Sequence, residues 1–315
     1  MGKKRSKKKI KKQPVKKTPQ NNKSIIRRAT SGNSTAEPTS EALVDIITPV
    51  YGSPNLLMGT ISSVLLHPTD IPWHWWIIDD GTPEDRGRAL LFDIYKEASR
   101  DPRIDILMNM EEGQPKNLGF AGANNAAASH GQAPYILMLN SDVRVTDTWL
   151  QPMIEEMETN YKAGVVGAKL LFFPEVHEPL KDGHDIRPAG RIQHAGVAFN
   201  ILRQPFHIHI GWSHDNPRLN KRKTLQAVTG AALLTRRGLW KTVGGLDLVY
   251  TQGNFEDIEY CLRVKDMGFE IIYRPDAVIY HYAGGSGNSM TAMRNAQIFT
   301  MRCGNVIMPD EHRIY

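Results

Sequence analysis

Cysteine is scarce in this sequence: Cys261 and Cys303 are the two among 315 residues. That excludes a disulfide-stapled scaffold and any cysteine-rich zinc module. Long apolar runs are missing as well. Stretches such as 165–173 fall far short of the about 18–20 apolar residues that a membrane-spanning helix needs. No transmembrane span is expected, and both thiols suit a reducing cytoplasm. The N-terminus lacks the apolar segment and small-residue cleavage site of a secretory signal.

Acidic residues are absent from the first 36 positions, which hold 10 Lys and 3 Arg. The rest of the chain carries 26 basic residues against 33 acidic ones, a net −7. The overall +6 therefore describes neither part. With almost nothing to bury, residues 1–41 are expected to be a disordered basic arm. Its charge suits a solubilising tail, an anionic membrane surface or nucleic acid. No aromatic residue interleaves with the lysines, so base stacking is not expected.

What is present from position 42 onward is an alternation of short apolar runs and helical spacings. Runs at 43–48, 75–78, 104–108 and 135–139 read as strands. Segments 55–67, 83–100 and 121–129 read as helices. This predicts an α/β fold with a mostly parallel central sheet and helices on both faces. Ligands bind such sheets beyond the carboxyl ends of the strands. Thr48, Asp79, Asp80, Asn140 and Asp142 stand at those ends and are the residues to watch.

Further on, 174–220 is irregular and rich in Gly, Pro, His and Arg, with β-like runs at 196–202 and 206–210. Segment 224–235 reads as one strand, 255–268 as a helix, 271–273 and 277–280 as two strands, and 288–305 as a last helix.

Each polar cluster has a plain reading beside a chemical one. Asp79-Asp80-Gly81 suits a capped turn, or carboxylates accepting bonds from a base or ribose. Asp142 suits a cap for a helix starting near Thr146, or a hard-cation ligand beside a phosphate. The glycines of the 117–125 turn permit close ligand approach, although their spacing is not that of a dinucleotide fingerprint. Glu256-Asp257 suits a helix dipole or a general base. His281 enters a Gly-rich loop. Histidines 177, 184, 194, 207, 209 and 214 crowd one region, and His207 with His209 would share a strand face, a zinc-like pattern or a polar acceptor-side lining. Trp73, Trp75, Trp76 and Trp212 read as packing residues, and Trp212 also as a sugar contact.

In order, the motifs TPVY, IIDDGT, NLGFAGANN, LNSD, VTGAALLTRR, GGLD, FEDIEYCLR and HYAGGS resemble those of family 2 glycosyltransferases with the GT-A fold. The GRIQHAG stretch and Gly211-Trp212 are similar to the bacterial rhamnosyltransferase-like or O-antigen-type subgroup. The resemblance spans about residues 44–286. It implies a domain at 42–288, divided into a nucleotide-sugar half (42–142) and an acceptor half (143–288), followed by a C-terminal helix and tail at 289–315.

It also implies residue roles. Thr48, Pro49 and Tyr51 would flank the base, Asp80 would read the imide, and Asp79 would shape that turn. Asn117, Gly119 and Asn125 would border the nucleotide and donor sugar. Asn140-Ser141-Asp142 stands where the family has Asp-x-Asp, leaving Asp142 as the carboxylate ligand of Mn²⁺ or Mg²⁺, with His281 as the second ligand. Asp257 would be the base, its pKa raised by the diphosphate, with Glu256 shaping the acceptor site and Arg263 bracing the helix. The implied reaction is inverting transfer from a UDP- or dTDP-sugar to an acceptor hydroxyl in glycan or surface-polysaccharide synthesis. The enzyme would be cytoplasmic, or peripheral at the inner membrane surface. A nucleic-acid or protein acceptor, or an inactive sugar-nucleotide-binding subunit, are the alternatives.

Overall fold

The structure, a computed structural model, describes residues 27–28, 42–174, 189–282 and 289–313. Most of the basic arm, His177, His184 and the glycine-rich loop after Tyr282 lie outside the described residues. The first unit is β1 (Val44–Val50), α1 (Pro54–Leu66), β2 (Trp73–Asp79), α2 (Arg88–Ala98), β3 (Ile104–Met108), α3 (Gly119–Ala128) and β4 (Tyr135–Leu139). Strands β3, β2, β1 and β4 lie side by side and parallel, with Val44 opposite both Trp73 and Tyr135. Pro49 does not stop β1: the strand runs on to Val50, with Pro49 in register with Ile78. Arg27–Arg28 adds a two-residue antiparallel strand on β3.

Period-two alternation assigns the two faces. Ile46, Trp75, Ile77, Leu137 and Leu139 pack with α1 and α2. Ile47, Trp76, Ile78, Ile136 and Met138 pack with α3. Helix α3 lies close to the sheet because its inward residues are alanines. One charged residue interrupts the core of β1. Asp45 accepts from Trp76 Nε1 at 2.9 Å, the Ala133 amide at 2.8 Å and the Arg237 guanidinium at 2.5 Å. Both charges are buried and fully hydrogen-bonded, the condition under which a buried ion pair is tolerated.

The second unit is β5 (Val143–Val145), α4 (Gln151–Thr159), β6 (Ala163–Phe172), β7 (Ile192–His194), β8 (Val197–Phe199), β9 (Pro205–His207), β10 (Lys223–Leu225), β11 (Ala232–Arg236), α5 (Arg237–Val243), α6 (Glu256–Asp266) and β12 (Glu270–His281). Strand β11 runs antiparallel between β4 and β6, and β12 lies parallel to β6. The sheet is therefore mixed beyond β4. The single strand expected at 224–235 is two strands in different parts of the sheet. The two strands expected at 271–273 and 277–280 are one, with a register shift between Arg274 and Val278 that accommodates Pro275. Asp142 caps no helix, since α4 begins at Gln151. The last helix, α7 (Ser289–Cys303), packs Phe299 and Cys303 into the same core as α6. Cys261 and Cys303 are buried free thiols. No helix of the described residues is long and apolar enough to cross a membrane.

Candidate active site

The predicted site residues collect at the carboxyl ends of β1, β2 and β4, where the sheet meets α6 and the end of β12. At β2, Asp79 and Asp80 divide the work. Asp79 accepts from the Thr82 amide at 2.8 Å and the Tyr95 hydroxyl at 2.9 Å, so both of its oxygens shape the turn. Asp80 Oδ1 accepts from Asn109 Nδ2 and the Leu118 amide, each at 2.7 Å. Burial pushes the Asp80 pKa up to about 7 against the opposing pull of the Leu118 and Asn109 donors. Gly81, at φ +74°, passes so close to Lys116 that a Cβ would lie 2.5 Å from its carbonyl carbon. Only glycine fits that turn.

Thr48 is buried and accepts from Trp75 Nε1 at 2.9 Å. Pro49 is partly open beside it, and Tyr51 is exposed with the Arg86 guanidinium 4.9 Å from its ring centroid. Asn117 accepts from the Gly119 amide at 2.9 Å. Asn125 bonds reciprocally to the Leu246 backbone at 2.8 and 2.9 Å, tying α3 to the GGLD loop.

Strand β4 ends in Asn140-Ser141-Asp142, and Thr60 clamps this turn. Its hydroxyl lies 2.9 Å from the Ser141 carbonyl and 2.8 Å from the Val143 carbonyl, and accepts from the Val143 amide at 3.1 Å. Pairing of β5 with β12 then brings His281 opposite Val143. His281 Nε2 is 3.2 Å from Asp142 Oδ1 and 3.2 Å from Asn140 Nδ2. Burial alone would raise the Asp142 pKa, but the His281 imidazole and the hydrogen bonds around it, including that of Asn140, together hold the carboxyl below its ordinary value.

Gln193 on β7 sets the tautomer of His281. Its Nε2 donates to the His281 carbonyl at 2.9 Å, which leaves its Oε1 facing His281 Nδ1 at 2.6 Å. An amide oxygen there requires an N–H on Nδ1. Nε2 therefore turns toward the Asp142 carboxylate, and a positive charge, proton or cation, is needed between them. Asn140 Oδ1 is buried beside this pair with no hydrogen-bond partner. No group of three or more His, Cys, Asp or Glu able to hold a metal occurs among the described residues. Two protein ligands suffice where phosphate and water complete the shell, as Mg²⁺-type sites do. The fixed tautomer and the orphan amide oxygen fit such an ion.

Asp257 reaches the same end of the sheet by a short chain of backbone contacts. The Asn140 amide donates to the Ala231 carbonyl at 3.0 Å, and the next amide, Gly230, donates to Asp257 Oδ2 at 2.6 Å. Four consecutive residues before α6 have positive φ: Gln252 (61°), Gly253 (95°), Asn254 (81°) and Phe255 (78°). Three of them are not glycine, a strained backbone of the kind that clusters at functional sites. Buried Asn295 of α7 holds it, donating to the carbonyls of Thr251 at 3.0 Å and Gly253 at 2.9 Å.

Glu256 is buried, and its Oε2 has no hydrogen-bond partner. Burial, then the neighbouring Asp257 charge, push its pKa up to about 8. Glu256 is thus, with Asp80, a carboxyl raised by burial. Arg263 braces the helix as expected, bonded to Glu259 and to the Val243 and Gly245 carbonyls.

Residues 45–241 match the profile of Glycosyl transferase family 2. The chain belongs to that family. The family 2 match covers most of the sheet and the Asn140-Ser141-Asp142 turn, whereas Asp257 and His281 lie beyond it. A curated relative, an uncharacterized protein y4gI of Sinorhizobium fredii (strain NBRC 101917 / NGR234), is 30% identical over 261 residues. The match takes in 81% of this chain and 26% of that protein, so the chain spans about a quarter of the relative's length.

Among solved structures, the chain resembles GalNAc-T7 with UDP, GalNAc and Mn²⁺ (TM-score 0.61, 14% identity, 84% of this chain and 48% of that one). It also resembles the mannosyltransferase PcManGT of Pyrobaculum calidifontis with GDP-Man and Mn²⁺ (TM-score 0.54, 15% identity, 88% and 68%). The fold of this family 2 glycosyltransferase is that of the GT-A enzymes.

Several contributors escaped the sequence reading: Asn109, Thr60, Gln193 and Asn295. Each acts from another element on a residue far along the chain, so no local spacing marks it. The proposed pairing of His207 with His209 does not form. His209 packs on Trp212, with ring centroids 4.4 Å apart, and His207 pairs with His194 instead. Trp73, Trp75 and Trp76 are core residues.

Proposed function

We propose that this chain is an inverting glycosyltransferase. It moves a hexosyl or deoxyhexosyl group from a UDP- or dTDP-sugar to an acceptor hydroxyl, with Mn²⁺ or Mg²⁺ held by Asp142 and His281. The observation that carries this reading is the convergence of Asp257 and the Asp142–His281 pair on adjoining residues, Asn140 and Gly230–Ala231. The nucleotide sugars and Mn²⁺ named with the two solved neighbours support it.

The chain's own residues would act as follows. Asp80 accepts the imide N–H of the base, beside Thr48, Pro49 and Tyr51. The Gly119 turn lies against the donor. Asp257 takes the proton from the acceptor hydroxyl as its oxygen bonds to the anomeric carbon. The bond from that carbon to the diphosphate oxygen breaks on the opposite face, which inverts the configuration. A bound divalent cation supplies neutralising charge to the leaving diphosphate. Glu256, protonated at neutral pH, offers a hydrogen-bond donor on the acceptor side.

The GRIQHAG resemblance favours a deoxysugar enzyme of surface-polysaccharide or lipid-linked precursor synthesis. It would act in the cytoplasm or at the inner membrane surface, with the basic arm on anionic lipid or nucleic acid.

The test is a hydrolysis panel of UDP-, dTDP- and GDP-sugars with and without Mn²⁺ or Mg²⁺. Metal-stimulated release of a UDP- or dTDP-sugar, lost in Asp142→Ala, is expected. Absence of metal stimulation with every donor would remove the Asp142 and His281 assignment.

A further inference from the structure

Strand β7 and the β8–β9 hairpin bring two imidazoles together edge-on. His194 Nδ1 and His207 Nδ1 are 2.7 Å apart, with ring centroids 5.0 Å apart and planes at 77°. A tetrahedral metal with ordinary metal–nitrogen bonds would hold its two nitrogens about 3.3 Å apart. The contact is therefore a hydrogen bond and not a ligand pair.

Its direction follows from the next bond inward. His194 Nε2 accepts from the Thr229 amide at 3.4 Å and so carries a lone pair. His194 is fully buried, and burial holds its pKa well below the ordinary range, so the ring is neutral with its proton on Nδ1. That proton is donated to His207 Nδ1. The protein packed around His207 lowers its pKa, although the residue keeps solvent-exposed surface. With Nδ1 accepting from His194, neutral His207 carries its proton on Nε2. Among the described residues, nothing accepts it.

The imidazole pair is tied to the backbone that holds Asp257. Thr229, which anchors His194, is followed by Gly230, whose amide holds Asp257 Oδ2 at 2.6 Å. His207 also feels the charges of both Asp257 and His281. A fixed neutral donor beside a carboxylate base suits a molecule with oxygens on adjacent carbons. One oxygen gives its proton to the base while its neighbour accepts from the donor. A sugar ring has that pattern, and a lone hydroxyl does not.

We propose that His207 Nε2–H, oriented by buried His194, is an acceptor-binding donor that engages a sugar oxygen next to the hydroxyl facing Asp257. This rests on the glycosyltransferase reading above. His207 touches the acceptor; His194 is a positioning residue.

The test uses the full chain with ¹⁵N-labelled histidine, its His207 signal identified from His207→Ala. Octyl β-glucoside, octyl β-galactoside and octyl β-N-acetylglucosaminide serve as acceptor probes. The expected result is an Nε2–H tautomer for His207, Nδ1–H for His194, and a shift of the His207 signal with at least one glycoside. For a glycoside that also accepts sugar, His207→Ala raises its KM about tenfold, the loss of one good hydrogen bond, with a smaller effect on kcat. His207→Gln, which keeps an N–H near the same point, restores most of that affinity. An Nδ1–H tautomer at His207, or no shift with any of the three glycosides, would overturn the proposal.

UDP binding with Mn²⁺, followed by calorimetry, separates the two readings. Nucleotide binding with a silent His207 removes the acceptor site alone. A His207 shift without binding of any nucleotide sugar removes the glycosyltransferase reading and leaves a sugar site.

Discussion

Gln193 grips His281 at two points, donating to its carbonyl at 2.9 Å and accepting from its Nδ1–H at 2.6 Å. The two residues are 88 positions apart and meet because β7 pairs with β6, which also pairs with β12. The grip leaves Nε2 as the nitrogen facing Asp142 and Asn140. Partners of this kind hold a metal-binding imidazole in its binding tautomer. Gln193→Ala is therefore expected to weaken Mn²⁺ binding about 10–100-fold, read by electron paramagnetic resonance of the free ion. Unchanged Mn²⁺ affinity would break the link between the two residues.

Asp257→Asn keeps an oxygen for the Gly230 amide and removes the base. Transfer should fall by about 10²–10⁴, while the melting temperature stays close to that of the parent. Near-normal turnover with a defined donor and acceptor would show that the proton goes elsewhere.

Asp80 titrates near 7 because burial penalises its charge. Reading an imide N–H needs the carboxylate, which gains population as pH rises. UDP affinity should therefore increase up to about tenfold between pH 6 and pH 8, measured by calorimetry. The increase attributable to this group should vanish in Asp80→Asn. A parallel pH response in both proteins would assign it to the phosphates instead.

Glu256 carries a cost of folding. Its carboxyl titrates near 4.5 in the unfolded chain and near 8 in the folded one. The unfolded state then releases its proton first, so stability falls as pH rises from the lower value to the upper. Glu256→Gln removes this penalty. It should stabilise the protein by about 3 kcal/mol at pH 7 and by almost nothing near pH 4. Denaturant unfolding at both pH values tests this. A variant destabilised equally at both would mean that the buried carboxyl has a partner the substitution breaks.

Asn295 is the restraint on the left-handed turn before Asp257. Asn295→Ala orphans the Thr251 and Gly253 carbonyls and should cost about 1–3 kcal/mol. Faster amide exchange is expected at residues 251–255, and transfer should slow. Unaltered exchange there would show that the turn holds itself.

The first unit was legible because its signals are local. In β1, β2 and β4, buried parallel strands read as continuous apolar runs, each ending at a polar residue. Asp80 and Asp142 could be named for the same reason, as could the wrapping of helices on both faces, whereas Asp257 opens a helix and was named from the motif resemblance. Strands β5 and β6 went unread between those landmarks. The split of 224–235 was illegible because its two halves join different neighbours. The bulge at Pro275 was hidden because a strand broken in sequence can remain one strand in the ladder.

The order of apolar runs, helical spacings and polar strand ends was sufficient to determine an α/β fold and the carboxylates to examine, and the motifs in their order carried the family resemblance. Those features come from periodicity and from residues close in the chain. Tertiary structure decided which groups meet: Gln193 with His281, His194 with His207, Asn295 with the 251–253 turn, and Asp257 with Gly230. It also decided that Glu256, next to Asp257, holds a raised pKa. Charge state and tautomer depend on burial and on partners across the sheet, and neither is set until the strands have paired.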